Sequence, residues 1–149
     1  MEDRYLYKAK TTPKEKGEFN NVWVTGNLIV SNGKYYIHPV GNVVNVKNET
    51  GRIIVMHEVI PDTICQCTGL KDKNGKLIWE NDIIECKNRK HNFQTQIEWD
   101  AYCAGFIFQD TQTSAVSLDT ITANGLYSES KVIGNIFDNK ELVESEEKQ

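Results

Sequence analysis

Residues 63–85, TICQCTGLKDKNGKLIWENDIIE, decide how this chain folds. Asn74-Gly75 stands between two short segments, Gly69-Leu70 and Lys76-Leu77-Ile78-Trp79. An Asn-Gly pair accepts positive φ at both central positions, as a type I′ turn demands, so the pattern predicts a tight strand reversal. Lys71, Asp72, Lys73 and Lys76 surround the turn and are expected to hold its tip in water. Glu80-Asn81-Asp82 then breaks the apolar run before Ile83-Ile84 resumes it. Asn and Asp side chains bond their own backbone at such corners, which predicts a second turn leading into a new strand. Glu80 and Asp82 have the chemistry of a catalytic carboxylate pair. Beside a strand start, however, such groups belong in water or on backbone N–H groups, and that reading is adopted.

On the N-terminal side, Tyr5-Leu6-Tyr7-Lys8-Ala9 reads as a strand and residues 11–21 as a polar loop. Residues 22–31 are β-branched and loosely alternating, and Asn32-Gly33 turns them into Lys34-Tyr35-Tyr36-Ile37-His38, the clearest hairpin in the sequence. Val43-Val44-Asn45-Val46 and Arg52-Ile53-Ile54-Val55 suggest a second hairpin around residues 48–51. His57 begins a crossing segment that ends at Asp62. With no Ser or Cys elbow beside it, His57 reads as a polar histidine near a strand end.

On the C-terminal side, Lys87-Asn88-Arg89-Lys90-His91 is the only concentrated basic run. As a functional element it would contact phosphate, with Lys87, Arg89, Lys90 and His91 as the nucleic-acid candidates. As an ordinary element it is a solvated loop, which is favoured because five residues on an acidic protein carry little weight. Phe93, Thr95, Ile97 and Trp99 alternate with Gln94, Gln96, Glu98 and Asp100, so one face is expected to be buried and the other wet. Residues 102–105 turn into Phe106-Ile107-Phe108, an aromatic stripe assigned to core rather than to base stacking. Residues 109–115 read as loop, and residues 116–121 fit a strand or a helical turn equally well. Asn124-Gly125 is a third turn, and residues 131–136 are the last strand. Asp138 and Glu141 resemble a capping box over Leu142-Val143.

The 149 residues are enough for one domain or two small lobes. A net charge of −4 opposes a general nucleic-acid coat or an anionic membrane surface. No run approaches the ~20 apolar residues of a membrane span, and the opening MEDRYLYKAK, with acidic residues and no apolar h-region, does not read as a signal peptide. The expected compartment is the cytoplasm. There the cysteines at 65, 67, 86 and 103 should be thiols. Cys65 and Cys67 share a strand face, and a zinc site could be drawn with Cys86, Cys103 and His38, His57 or His91. Structural zinc sites pair their ligands at close spacing twice over, so free thiols, buried or half-buried, are preferred.

The central stretch resembles the signature of the YopX family, small proteins of bacteriophages and prophages of Gram-positive bacteria. The residues that carry it are Thr68, Gly69, Leu70, Asn74, Gly75, Lys76, Ile78, Trp79, Glu80, Asn81, Asp82, Ile83 and Ile84. Two further stretches agree: residues 5–10 with the Trp23 to Leu28 run, and Val132-Ile133-Gly134-Asn135-Ile136-Phe137-Asp138-Asn139. Gly is the commoner residue of that pattern where Asn81 stands, and Asn is the substitute that best tolerates a left-handed backbone. The resemblance implies no assigned activity and no catalytic residues.

The expected fold is mainly β: an N-terminal β-hairpin lobe (1–60) packed on a C-terminal SH3-like small barrel (61–149) with a short C-terminal helix. The two would form one YopX-like unit. The expected function is that of a non-enzymatic accessory protein with no cofactor and no metal. It would bind a host or phage macromolecule, with homo-oligomerisation left open and no membrane partner. The alternatives are a nucleic-acid-binding protein using the barrel face and the Lys87-to-His91 loop, and a metal-dependent enzyme.

Overall fold

The structure, a computed structural model, describes residues 2–14, 20–40, 47–48, 51–52, 55–87, 91–110, 115–121 and 127–144. The chain divides into two compact units, Glu2–Gln66 and Cys67–Gln149.

In the first unit, a 3₁₀ turn at Glu2–Tyr5 leads into β1 (Tyr7–Lys10), followed by β2 (Trp23–Ser31) and β3 (Lys34–Pro39). The β2–β3 reversal is the expected Asn-Gly turn. Asn32 and Gly33 take φ of 51° and 73°, and Ser31 pairs with Lys34 across it. β4 (Lys47–Asn48) pairs with β5 (Gly51–Arg52); residues 43–46 and 53–54 of that expected hairpin lie outside the described residues, and Val55 belongs to no strand. The crossing segment contains β6 (His57–Glu58), which pairs with β3 and sets His57 opposite Ile37. β1 also pairs with the start of β7 (Cys65–Lys71), so the strand order here is β6-β3-β2-β1-β7. Ala9, Ile37 and Val59 form the buried centre, with Tyr7, Val24, Leu28, Tyr35 and Ile64 around them. Gly26 is required at the β2–β3 contact. A Cβ there would lie 1.9 Å from the His38 carbonyl oxygen, which belongs to backbone and cannot swing aside.

In the second unit, the remainder of β7 pairs with β8 (Leu77–Trp79). β9 (Asp82–Lys87) is the middle of one sheet, between β10 (Asn92–Gln96) and β14 (Lys131–Asn135). A second sheet has the order β11 (Glu98–Asp100), β12 (Gly105–Gln109), β13 (Ala115–Ser117). Residues 116–121 realise both readings of the sequence, since β13 runs directly into a 3₁₀ turn at Leu118–Ile121. The chain as described ends in α1 (Glu141–Glu144). Ile78, Ile84, Cys86, Phe93, Ile97, Phe108, Leu118, Ile121 and Tyr127 are the core.

The mainly β architecture is the one expected, but the small barrel is not: the described strands form separate antiparallel sheets and no closed barrel. The break is at Ile97. Its N–H donates to the Asp82 carbonyl at 2.8 Å and its carbonyl accepts from Asn81 N–H at 2.8 Å, so the long strand bends there. Before the bend, β10 pairs with β9; after it, β11 pairs with β12. The same bend corrects the expected alternation. Phe93 and Ile97 are buried, but Trp99 is 48% exposed.

The terminal helix also starts differently. The Asp138 carboxylate accepts the Asn135 side-chain amide at 3.1 Å, and the Asn139 carbonyl accepts the first helical bond, from Leu142. Among the described residues no helix is long and apolar enough to cross a membrane.

Candidate functional site

Thr68, Asp72 and Asp82 of the central stretch are spent on the backbone. Gly69, at φ 78°, sits in a bulge of β7, and Thr68 closes it by donating to the Ile78 carbonyl at 2.7 Å and accepting from Leu70 N–H. In the next turn only Gly75 has positive φ (79°), so the expected type I′ turn is replaced by a three-residue loop ending in a left-handed glycine. Gly75 N–H donates to the Asp72 carbonyl at 3.0 Å, and Asp72 N–H donates to the Lys76 carbonyl at 2.9 Å. Asp72 is the reason. Its Oδ1 accepts from the N–H groups of Asn74 and Lys76, and its Oδ2 accepts from Val132. Its residue is 7% exposed, so the lysines keep the tip wet and Asp72 does not.

Asn81 has φ 66°, the left-handed conformation its identity suggested. Its Oδ1 accepts from Gln96, and its carbonyl accepts from Ile136 N–H at 3.1 Å. Asp82 is 2% exposed and accepts the Trp79 N–H at 2.9 Å, the backbone role foreseen for it. At the last turn Asn135 Oδ1 accepts from the N–H groups of Phe137 and Asp138. Gly134 leaves room for Asn139, whose Oδ1 would lie 2.4 Å from an added Cβ.

Of the nucleic-acid candidates, Lys87 and His91 are among the described residues. Arg89 and Lys90 lie outside the described residues. Lys87 Nζ is 3.8 Å from Glu85, whose carboxylate also meets Lys131 at 3.4 Å. His91 faces inward, stacked on Phe93 with ring centroids 5.0 Å apart. Of the cysteines, 65, 67 and 86 are buried and 103 is exposed. Among the described residues no group of three His, Cys, Asp or Glu side chains is placed to hold a metal ion.

A different constellation is assembled inside the second unit. His91 Nε2 lies 3.0 Å from Asp110 Oδ1, and the Tyr127 hydroxyl donates to Asp110 Oδ2 at 2.6 Å. The Asp110 side chain is 1% exposed, so its carboxylate is held by these two partners in a low-dielectric setting. Tyr127 also meets Phe93 and Phe108 edge-on, at 6.1 and 5.1 Å. Cys86 is the adjacent nucleophile type. Burial pushes its thiol up to about 12; the Ser130 side chain nearby opposes this and the Asp110 charge adds to it. A thiol held protonated at neutral pH is a poor nucleophile.

Sequence reasoning missed this network because its members stand 19 and 17 residues apart and share no strand. A separate cleft of about 210 Å³ opens on the other side of β10, lined among others by Gln94, Gln96, Glu98, Gln109, Leu142 and Val143.

A family model described as "YopX protein" matches residues 4–144. The chain belongs to the YopX family. Among curated proteins none matches it. A solved structure it is similar to is that of protein EF1440 from Enterococcus faecalis. The sequence identity is 23%, with 93% of this chain and 96% of that one covered and a TM-score of 0.43. In this YopX family chain, Thr68, Gly69, Asn81, Asp82, Gly134, Asn135 and Asn139 are therefore the residues that shape its corners.

Proposed function

We propose that this YopX family chain is a non-enzymatic accessory protein of phage or prophage origin that acts by binding a host or phage macromolecule. The observation that carries the reading is the commitment of the motif's polar side chains to backbone groups, seen at Thr68, Asp72, Asp82 and Asn135. A pattern chosen for corners specifies a rigid scaffold, and a rigid scaffold serves binding through its surface. The one thiol beside a His–Asp pair is Cys86, whose raised pKa suits packing better than attack.

The test separates chemistry from scaffold. A strain lacking the encoding prophage gene is complemented with Cys86→Ala and with His91→Gln, each checked for folding by circular dichroism. Full complementation by folded variants is expected. Loss of function in a folded variant would overturn the non-enzymatic reading. Recovery of the tagged chain without any stoichiometric protein or nucleic acid would overturn the binding one.

A further inference from the structure

We propose that the solvent-facing side of the β1–β2–β3 sheet is a platform for single-stranded nucleic acid. This rests on the macromolecule-binding reading and names the class of partner. Successive residues of a strand point to opposite faces. Tyr7, Ala9, Val24, Leu28, Tyr35 and Ile37 point into the first unit's core. The registers Lys10↔Trp23, Lys8↔Thr25, Asn27↔His38 and Ile29↔Tyr36 then place the alternate residues together on the opposite face. Thr25, Asn27 and Ser31 on that face are exposed.

The chemistry of this face is that of a base-stacking surface. Lys8 and Lys10 both reach over the Trp23 ring, with Nζ 5.1 and 5.5 Å from its centroid, so two ammonium groups are held beside one indole. On β3, Tyr36 and His38 follow at alternate positions, about 7 Å apart along the strand. Asn27, opposite His38, offers a donor and an acceptor to a base edge. Trp23, Tyr36 and His38 are half-buried; aromatic rings flanked by cations on such a sheet face suit unpaired bases, whose faces are accessible, and not a duplex, whose bases are already stacked. The net charge does not oppose it, because the acidic excess lies within residues 67–149 while residues 2–66 carry slightly more Lys and Arg than Asp and Glu. Glu58, the acidic neighbour on β6, is paired with Lys34 at 3.4 Å.

The experiment is fluorescence anisotropy of labelled mixed-sequence single-stranded DNA, single-stranded RNA and duplex DNA titrated with the full chain. Single strands of one or both kinds should bind about tenfold or more tightly than duplex. Affinity should fall steeply from about 50 to about 200 mM salt. Lys8→Gln with Lys10→Gln should flatten the salt dependence by about 0.7 log units per lysine. Tyr36→Ala should weaken binding about fivefold or more. Trp23→Phe keeps the ring, and so guards against a Trp23→Ala variant that does not fold. Binding that survives the lysine and Tyr36 substitutions, or that prefers duplex, would overturn the proposal. So would no binding to any single strand at about 50 mM salt. That last result leaves the broader reading to its own complementation and recovery test.

Discussion

Asp72 Oδ2 accepts the backbone N–H of Val132 at 2.9 Å, across 60 residues of sequence. The same carboxylate holds the turn before β8 through Asn74 and Lys76, so one side chain fixes a hairpin and fastens it to β14. Asp72→Ala would leave three backbone donors short of an acceptor. The expected loss is about 3 kcal/mol, read as a lower urea midpoint at unchanged slope. A loss within about 0.5 kcal/mol would mean that water replaces the carboxylate at no cost.

The corner at Asn81 is set by backbone conformation first and by its amide second. Asn81→Gly should cost less than about 1 kcal/mol, because glycine takes φ near 66° freely while the Gln96 bond is lost. Asn81→Ala should cost about 1–2 kcal/mol more than the glycine variant. Thermal melts of the pair decide it, and an alanine variant as stable as the glycine one would refute the argument.

Tyr127 donates to a buried carboxylate. Tyr127→Phe keeps its edge contacts with Phe93 and Phe108 while removing the hydroxyl. The expected loss is about 1.5–3 kcal/mol. A double-mutant cycle with Asp110→Asn should show strong coupling, since the two side chains meet at 2.6 Å. Additive effects would mean that the pair contributes no net stability.

Cysteine reactivity should divide by position. Near neutral pH the exposed Cys103 should react promptly with a thiol reagent, and Cys103→Ser should remove that phase. Cys86, whose pKa stands at about 12 against 9.0 for an ordinary thiol, should react only on unfolding. A raised folded pKa favours the protonated native state, so this contribution is fully present below pH 9.0. It is lost as pH rises toward about 12, because the unfolded thiol ionises first. Cys86→Ala should therefore flatten the alkaline decline in stability; an unchanged decline would refute the assignment.

Residues that act on their immediate neighbours were legible in the sequence. Asn32-Gly33 sets its own backbone, Asn81 advertises its left-handed corner, and Asp82 reaches a backbone N–H only three residues away. These effects need a few consecutive residues, so the motif states them directly, and together they fix a turn-rich β chain. Periodicity misled at Trp99 because alternation says which side chains share a face only while one strand continues. That strand stops at Ile97, which donates to Asp82 and accepts from Asn81, with β9 as the partner before it and β12 after it. The Asp72–Val132 bond, the His91–Asp110–Tyr127 network and the meeting of Lys8 and Lys10 with Trp23 were set by the tertiary structure alone. Each joins residues from different elements, and strand register, which no single segment encodes, determines which of them meet.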